Sequence, residues 1–190
     1  MLSDYELVEG CRKQDRTTQR QLYEQFAGKL FVVCKRYTKD ATGAEDVLQE
    51  VFIKIYRHID QFRYDCPLEA WIKRIAINTA LKYIRTQQPW DQAADIDEMA
   101  PLLSQDDHSL PNLNYQYLLA LIQELPPGCR TVFNLYAIEG YSHPEIGEML
   151  AVSEGTSKSQ YARARALLQH KLQLDGHSSD SASNPVQQKT

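Results

Sequence analysis

Several features that mark common protein classes are missing from this sequence of 190 residues. No apolar run is long enough to cross a membrane, and no signal peptide opens the chain, so we expect a cytoplasmic protein without membrane insertion. The four cysteines are widely spaced and form no CxxC pair, which predicts reduced, mostly buried thiols and no disulfide. Glycine-rich phosphate loops, internal repeats and a convincing strand pattern are also missing. These absences favour a protein built from helices.

Catalytic groups are missing as well. No Ser/His/Asp or Cys/His arrangement occurs at a usable spacing, and we expect His143 and His170 to be surface residues of helices. The segment Asp106, Asp107 and His108 has the chemistry of metal ligands, but it lies in a polar, aperiodic stretch. The sequence therefore predicts a protein that is not an enzyme and that uses no cofactor and no metal.

The negative charge is concentrated in one segment. The net charge is −4, yet residues 1–85 contain 15 basic and 12 acidic residues. Residues 86–114 contain six acidic and no basic residues, whereas residues 158–172 contain four basic and no acidic residues. The sequence thus has two basic regions on either side of an acidic one, a distribution compatible with binding to nucleic acid.

The changes in pattern divide the chain into two small helical domains. We place the first at residues 1–88 and the second at residues 113–174. A flexible acidic linker at residues 89–112 joins them, and a disordered polar tail occupies residues 175–190. The predicted fold class is all-α, with a helix-turn-helix in the C-terminal domain.

Capping signals predict the first three helices. Ser3 with Glu6 and Thr42 with Glu45 each have the spacing of a capping box, in which two side chains satisfy free N–H groups of the first turn. Asp15 is expected to cap the long helix between them.

The third helix carries a polar patch opposite its apolar stripe. Its members share one face because they are separated by three, four and seven positions: Asp46, Gln49, Glu50 and Ile53. A single exposed isoleucine is common in proteins. An apolar residue ringed by hydrogen-bonding groups also resembles a small protein interface. Both interpretations stay open from the residues alone.

A fourth helix, expected at residues 67–85, follows an aromatic loop at residues 60–66. Basic, amide and aromatic groups in one stripe suit single-stranded DNA, because bases stack on rings and cations follow the phosphates. The alternative is an ordinary solvated surface, and we assign Trp71 to the core. The candidate DNA-binding residues are Arg63, Tyr64, Arg74, Asn78, Lys82 and Arg85.

Two helices are expected at the start of the C-terminal domain, at residues 115–124 and 129–139, with the sequence LPPG between them. The apolar spacing of the second helix assigns four side chains to the core: Val132, Phe133, Tyr136 and Ala137.

Residues 142–172 predict the helix-turn-helix. Ser142 with Glu145 forms a capping box, and Ser153 caps a second helix that ends near Leu172. Successive residues of a helix are rotated by about 100°, which places small side chains on one face of that helix, between basic side chains. A face of this shape fits the major groove. An amphipathic helix with a solvated basic face is the alternative. The candidate residues are Glu154, Gly155, Thr156, Lys158, Ser159, Arg163 and Arg165.

Three motifs resemble those of the extracytoplasmic-function (ECF) sigma factors of bacterial RNA polymerase, in the sigma-70 family. DVLQEVF at residues 46–52 is similar to the acidic signature DxxQExF, and WIKRIAIN at residues 71–78 is similar to the tryptophan-led helix. LPP at residues 125–127 and SEGTSKS at residues 153–159 resemble the start and the recognition helix of the −35-binding domain. The motifs occur in the order that the family uses.

This resemblance implies partners and a mechanism. The patch on the third helix would dock on core RNA polymerase, and the loop and fourth helix would hold the opened strand at −10, with a flipped base near residues 60–66. The C-terminal domain would bind the −35 duplex of promoter DNA. The family also implies an anti-sigma factor as a partner, and we expect a monomer when the protein is free. Departures from the family pattern leave the promoter sequence open; they are Leu68, Ile77, Ser157 and Gln160.

Two other functions are alternatives to this one. A stand-alone helix-turn-helix repressor or activator would account for residues 129–172, but it would leave the third-helix patch and the basic stripe without a role. Such proteins are often dimers on palindromic sites. A nucleic-acid-processing enzyme would need ligands for a metal, and the sequence does not offer them.

Overall fold

The computed structural model describes residues 2–87 and 115–180. Within these two ranges the secondary structure is helical and contains no strand, which confirms the predicted all-α class. The chain divides into two compact units. None of the helices in the described ranges has the length and apolarity that a membrane span requires. The predicted linker at residues 89–112 lies outside the described residues.

Within residues 2–87 the N-terminal unit is built from four α-helices. They are α1 (Asp4–Arg12), α2 (Arg16–Tyr37), α3 (Ala41–His58) and α4 (Leu68–Gln87), with a short 3-10 turn at Ile59–Gln61. Helices α2, α3 and α4 pack on one another, and α1 lies against α2. The core between them contains large side chains with almost no exposure, among them Leu7, Leu22, Tyr37, Val51, Ile55, Leu68 and Ile72.

The first capping box is present as predicted. The hydroxyl oxygen of Ser3 accepts the N–H of Glu6 at 3.3 Å, and the carboxylate of Glu6 accepts the N–H of Ser3 at 2.8 Å. Asp15 caps α2, because its carboxylate accepts the N–H groups of Thr17 and Thr18. These bonds satisfy donors that have no partner inside the helix.

The predicted start of α3 was wrong by two residues. Asp40, and not Thr42, is the N-cap, and its carboxylate accepts the N–H of Gly43 at 2.8 Å. An aspartate at this position reaches the first free N–H groups, so the helix begins at Ala41 before Thr42 can serve as a cap. Gly43 and Ala44 are consequently inside the helix and buried.

Within residues 115–180 the C-terminal unit also has four α-helices. They are α5 (Tyr115–Gln123), α6 (Pro127–Phe133), α7 (His143–Leu150) and α8 (Glu154–Asp180), and a π-helical turn at Asn134–Ile138 continues α6. Helix α8 packs against α5, α6 and α7. One buried cluster joins α5, α6 and α8: Leu121, Leu125, Cys129, Ala164 and Leu168.

The π-helical turn changes which side chains face the core. A π-helix has an i→i+5 hydrogen bond and therefore shifts the rotation of the residues that follow. Asn134 and Leu135 are fully buried, whereas Tyr136 and Ala137 are exposed. The prediction of a buried residue was correct for Val132 and wrong for Tyr136 and Ala137.

The helix-turn-helix forms as predicted, with a longer second helix. The carboxylate of Glu145 accepts the N–H of Ser142 at 2.8 Å, which completes the capping box of α7. Ala151 closes α7 in the left-handed conformation, with φ of 58°. Helix α8 continues to Asp180 and not to Leu172, so residues 175–180 are helical and not part of a disordered tail. Helix formation is cooperative, which favours the continuation of a helix that has already formed.

Candidate functional sites

The four polar-patch residues of α3 lie together on the surface of the N-terminal unit. Asp46, Gln49, Glu50 and Ile53 are all exposed, and half of the Ile53 side chain is accessible to solvent (50%). We call this set the α3 patch. The opposite side of the helix is buried in the core, so the patch can change its contacts without disturbing the packing of α3.

A groove between α3 and α4 begins at the α3 patch. Asp46 and Glu50 line it on one side and Lys82 on the other. Lys54 bridges the two helices, because its ammonium donates to the hydroxyl of Thr79 at 3.1 Å and lies 3.5 Å from the carboxylate of Glu50. The sequence assigned Lys82 to a separate DNA-binding stripe, whereas the structure brings it to the same groove as two acidic members of the α3 patch.

The stripe on α4 is exposed along its length, and its members are Arg74, Asn78, Lys82 and Arg85. Trp71 is half-buried, and its ring lies 5.4 Å from that of Phe62, so its assignment to the core was correct in part. Ile77, one of the departures from the family pattern, is buried and does not face solvent.

The loop before α4 holds one aromatic side chain inside the unit and one outside. Phe62 is buried, whereas Arg63 and Tyr64 are exposed. Tyr64 has φ of 62°, a left-handed conformation that is unusual for a bulky residue. Its ring lies 4.9 Å from that of Phe62.

Helix α1 holds Tyr64 in this position. The hydroxyl of Tyr64 donates to the carboxylate of Glu9 at 3.2 Å, and the guanidinium of Arg12 lies 5.6 Å from the centre of its ring. Tyr5, also on α1, places its ring 5.9 Å from that of Tyr64. Tyr5 is not among the residues predicted from the sequence, because its spacing on α1 gives no sign that tertiary packing brings it to the loop.

The start of α8 is fixed by local hydrogen bonds. The hydroxyl oxygen of Ser153 accepts the N–H of Thr156 at 2.9 Å, so Ser153 caps α8 as predicted. Lys158 lies 2.7 Å from the carboxylate of Glu154. The hydrogen bond from Lys158, followed by its charge, holds the pKa of Glu154 below the ordinary value. A phosphate that approaches Lys158 therefore competes with Glu154.

The outward face of α8 has the predicted strip of small side chains. Gly155, Ser159 and Ala162 are exposed, and Ala166 is half-buried. A Cβ atom added to Gly155 would meet only the hydroxyl oxygen of Ser153, at 3.6 Å. Packing within the unit therefore leaves room for a side chain at this position. The basic rims are Lys158 and Arg165, which are exposed, and Arg163, which is half-buried.

The inward face of α8 makes polar contacts with its neighbours. Ser157 is fully buried, and its hydroxyl oxygen lies 2.9 Å from Nδ1 of His143. The thiol of Cys129 donates to the amide oxygen of Gln160 at 3.0 Å. The prediction that His143 is a surface residue was correct only in part: it is half-buried, and its ring stacks on that of Tyr136 with 4.3 Å between the centroids. The exposure of Tyr136 by the π-helical turn makes this stack possible.

No group of three His, Cys, Asp or Glu side chains in residues 2–87 and 115–180 is arranged to hold a metal ion. The segment Asp106, Asp107 and His108 lies outside the described residues. All four cysteines are free thiols; Cys66 is exposed, and the buried ones are Cys11, Cys34 and Cys129.

Comparison with known proteins assigns both units to one class. Residues 22–89 match the family described as Sigma-70 region 2, and residues 115–168 match Sigma-70, region 4. The first match contains the α3 patch, the loop and the α4 stripe, and the second contains the helix-turn-helix. Two such regions on one chain define a transcription factor of the sigma-70 type.

Relatives over most of the chain make the assignment more specific. RNA polymerase sigma-H factor of Pseudomonas aeruginosa is 32% identical, and the match covers 90% of this chain and 94% of that protein. ECF RNA polymerase sigma-E factor of Escherichia coli is 30% identical and covers 90% of this chain and 95% of its own. The chain belongs to the ECF sigma factors of the sigma-70 family. It binds core RNA polymerase, directs it to the −35 and −10 promoter elements and helps to open the DNA for initiation.

Solved structures share the fold. CnrH in complex with the cytosolic domain of CnrY is 23% identical, with a TM-score of 0.50 over 90% of this chain and 98% of that chain. The sigma factor RpoE in complex with the anti-sigma factor NepR from Bartonella quintana is 24% identical, with a TM-score of 0.51 over 82% of this chain and 97% of that chain.

Proposed function

We propose that the α3 patch is the surface through which this sigma factor docks on core RNA polymerase. The observation that carries the assignment is Ile53, which is half exposed at the centre of three hydrogen-bonding side chains. Interfaces bind chiefly through a few apolar anchors that are desolvated by a polar rim. Burying Ile53 against the polymerase would remove apolar surface from water, and Asp46, Gln49 and Glu50 would fix the orientation.

The loop and the α4 stripe form the proposed −10 site. Arg63 and Tyr64 project from the loop, and the stripe adds Arg74, Asn78, Lys82 and Arg85 along one exposed face. An opened strand presents phosphates to the cations and unstacked bases to the aromatic and amide groups. Together these groups bind the non-template strand after the duplex separates.

The outward face of α8 forms the proposed −35 site. Gly155, Ser159 and Ala162 let the helix backbone come close to the base edges, and Thr156 and Ser159 supply hydroxyl groups there. The rim residues Lys158, Arg163 and Arg165 contact phosphates, which position the helix without selecting a sequence. Glu154 accepts hydrogen bonds at the start of the helix, from Lys158 in the free protein and from a base edge in the complex.

The protein acts as a binding subunit and not as an enzyme, in the cytoplasm with the polymerase, and is a monomer when free. We expect an anti-sigma factor as a further partner, since related structures were solved as complexes of RpoE with NepR and of CnrH with CnrY. Such a partner would regulate the factor by covering the α3 patch or the −35 face until it is released.

The test of this function is co-elution in gel filtration with bacterial core RNA polymerase, followed by transcription of a promoter library by the eluted complex. A sigma factor gives a stable complex and new transcripts with defined start sites, and the library identifies both promoter elements. A protein that fails to co-elute but binds duplex DNA tightly by itself would overturn the proposal.

A further inference from the structure

Tyr5 and Tyr64 form an exposed aromatic pair that the functions described so far use only in part. Tyr5 is 63% exposed and Tyr64 is 42% exposed, and their ring centres are 5.9 Å apart. Tyr5 lies on α1, outside residues 22–89 that match Sigma-70 region 2. The family match therefore accounts for one ring of the pair and not for the other.

The backbone of Tyr64 is held in a conformation that its side chain disfavours. A φ of 62° suits glycine, and a bulky residue keeps it only where its surroundings impose it. Glu9 accepts the phenol hydrogen bond at 3.2 Å, and Arg12 lies over the ring. Arg12 also donates to the carbonyl oxygen of Phe62 at 2.6 Å, so α1 holds the loop at Phe62 as well as at Tyr64.

Helix α1 is itself fixed to the start of α4. The carboxylate of Asp4 accepts the N–H of Leu68 at 3.3 Å, and Leu7 and Val8 are fully buried. Tyr5 is consequently carried by a rigid element beside the proposed −10 site. The acidic groups around it are already engaged: Asp4 by this bond, Glu6 by the Ser3 cap and Glu9 by Arg12.

Packing explains only the inner edges of these rings. A tyrosine that served the core alone would be mostly covered, whereas both rings present large surfaces to solvent. A base cannot enter between them, because stacking needs about 3.4 Å on each side of a base and the centroids are only 5.9 Å apart. The two rings are tilted by 32° and each exposes part of its surface to solvent, so a base can stack on the outside of the pair.

We propose that Tyr5 and Tyr64 form a stacking platform for one unpaired base of the opened DNA strand. The proposal rests on the −10 role of the loop and α4, and it adds α1 to that site. The ligand is a nucleobase in single-stranded DNA. Because every base has a π-face, the platform accepts any base, and exposed Arg63 contacts the neighbouring phosphate.

The experiment measures binding of the reconstituted holoenzyme to forked promoter DNA in which each base of the displaced strand is removed in turn. With the wild-type factor, one abasic position should weaken binding about five-fold or more. The holoenzyme with Tyr5→Ala should bind intact DNA more weakly by a similar factor. Removal of that same base should then cause no further loss of affinity. This coupling separates stacking from a general effect on the fold.

Two variants sharpen the result. Tyr64→Gly removes the second ring while glycine keeps the left-handed backbone, so it should reproduce the loss and the coupling of Tyr5→Ala. Tyr23→Ala removes a tyrosine of similar exposure on α2 and is expected to behave as the wild type.

The Arg74→Ala variant distinguishes failure of the stacking platform from failure of the whole −10 site. If Arg74→Ala weakens DNA binding and both Tyr5→Ala and Tyr64→Gly match the wild type at every position, the platform is wrong and the −10 site stands. If none of the three variants changes binding, the −10 assignment fails together with the platform. The platform would also be wrong if the holoenzyme with Tyr5→Ala lost affinity equally at every abasic position.

Discussion

His143 and Ser157 join the two helices of the helix-turn-helix through a hydrogen bond of 2.9 Å between Nδ1 and the hydroxyl oxygen. Ser157 is fully buried, and His143 is the first residue of α7. The orientation of α8 on α7 therefore depends on a polar contact inside the unit. It also depends on the ring of Tyr136, which covers His143.

The Ser157→Ala variant is expected to destabilise the C-terminal unit. Alanine removes the hydroxyl and leaves Nδ1 of half-buried His143 without this partner, which should lower the free energy of unfolding by about 1 kcal/mol. Ser159→Ala is the matched control, because Ser159 is exposed on the same helix and the same helix propensity changes. Chemical denaturation of both variants measures the difference. Equal stability of the two would show that the hydrogen bond contributes nothing.

Ile53→Asp should weaken binding to core RNA polymerase by at least ten-fold and leave the fold intact. The side chain is half exposed, so the new charge stays hydrated in the free protein, but it would be buried in the proposed interface. Thr42→Asp adds the same charge at an exposed position in the first turn of α3 and should bind normally. Titration with labelled factor gives both affinities. Unchanged binding of the Ile53 variant would remove the α3 patch from the interface.

Gly10→Ala should destabilise the N-terminal unit by about 1–3 kcal/mol, as overpacking of a tight contact does. An added Cβ would lie 2.7 Å from Cβ of Thr18, and Thr18 cannot move easily because Asp15 holds its N–H at 3.0 Å. Gly28→Ala is the control within α2: its Cβ would meet no atom within 4 Å, and alanine favours a helix by up to about 1 kcal/mol. The denaturant concentration at the unfolding midpoint should therefore fall for Gly10→Ala and rise for Gly28→Ala. A neutral Gly10→Ala would mean that α1 and α2 separate at little cost.

A thiol reagent should modify Cys66 rapidly in the native protein, and the other three cysteines only after unfolding. Cys66 is exposed, whereas burial raises the pKa of Cys11 to about 11 and of Cys34 to about 12, and also raises the pKa of Cys129. A buried neutral thiol is both inaccessible and a poor nucleophile. Peptide mapping after brief alkylation at neutral pH counts the modified sites. Rapid native modification of Cys34 would contradict the described core.

The same burial predicts a loss of stability in alkali. The folded pKa of Cys34, about 12, lies above the ordinary value of 9.0, so folding favours the neutral thiol. Its contribution is complete below about pH 9 and decreases as the pH rises toward the folded pKa. Cys34→Ala should therefore lose less stability than the wild type between about pH 9 and pH 11. Parallel loss in both proteins would assign the alkaline effect to other groups, such as Tyr56, whose pKa burial also raises to about 12.

The sequence predicted well those features that depend on neighbouring residues. The capping boxes at Ser3 and Ser142, the exposure of Ile53 and the small-residue face of α8 follow from spacings of three or four residues within one helix. The family motifs then gave these local patterns a common function.

Features that depend on tertiary packing were not predictable in the same way. The π-helical turn leaves apolar spacing unchanged in the sequence but turns Tyr136 outward onto His143. The contact of Tyr5 with Tyr64 joins residues far apart in the chain, and the left-handed backbone of Tyr64 has no signature in its residue type. The start of α3 is a local feature that was missed: the Thr42–Glu45 spacing favoured the later cap, although aspartate is the stronger N-cap residue.

Helix α8 keeps its stabilising side chains and its outward side chains separate. Ser157, Ala164 and Leu168 are buried against the rest of the unit, whereas Gly155 and Ala162 face away from it. Substitutions at exposed positions of this kind usually change stability by no more than about 0.5 kcal/mol. Single mutations on the proposed −35 face can therefore change the promoter preference and leave the folding of the C-terminal unit intact.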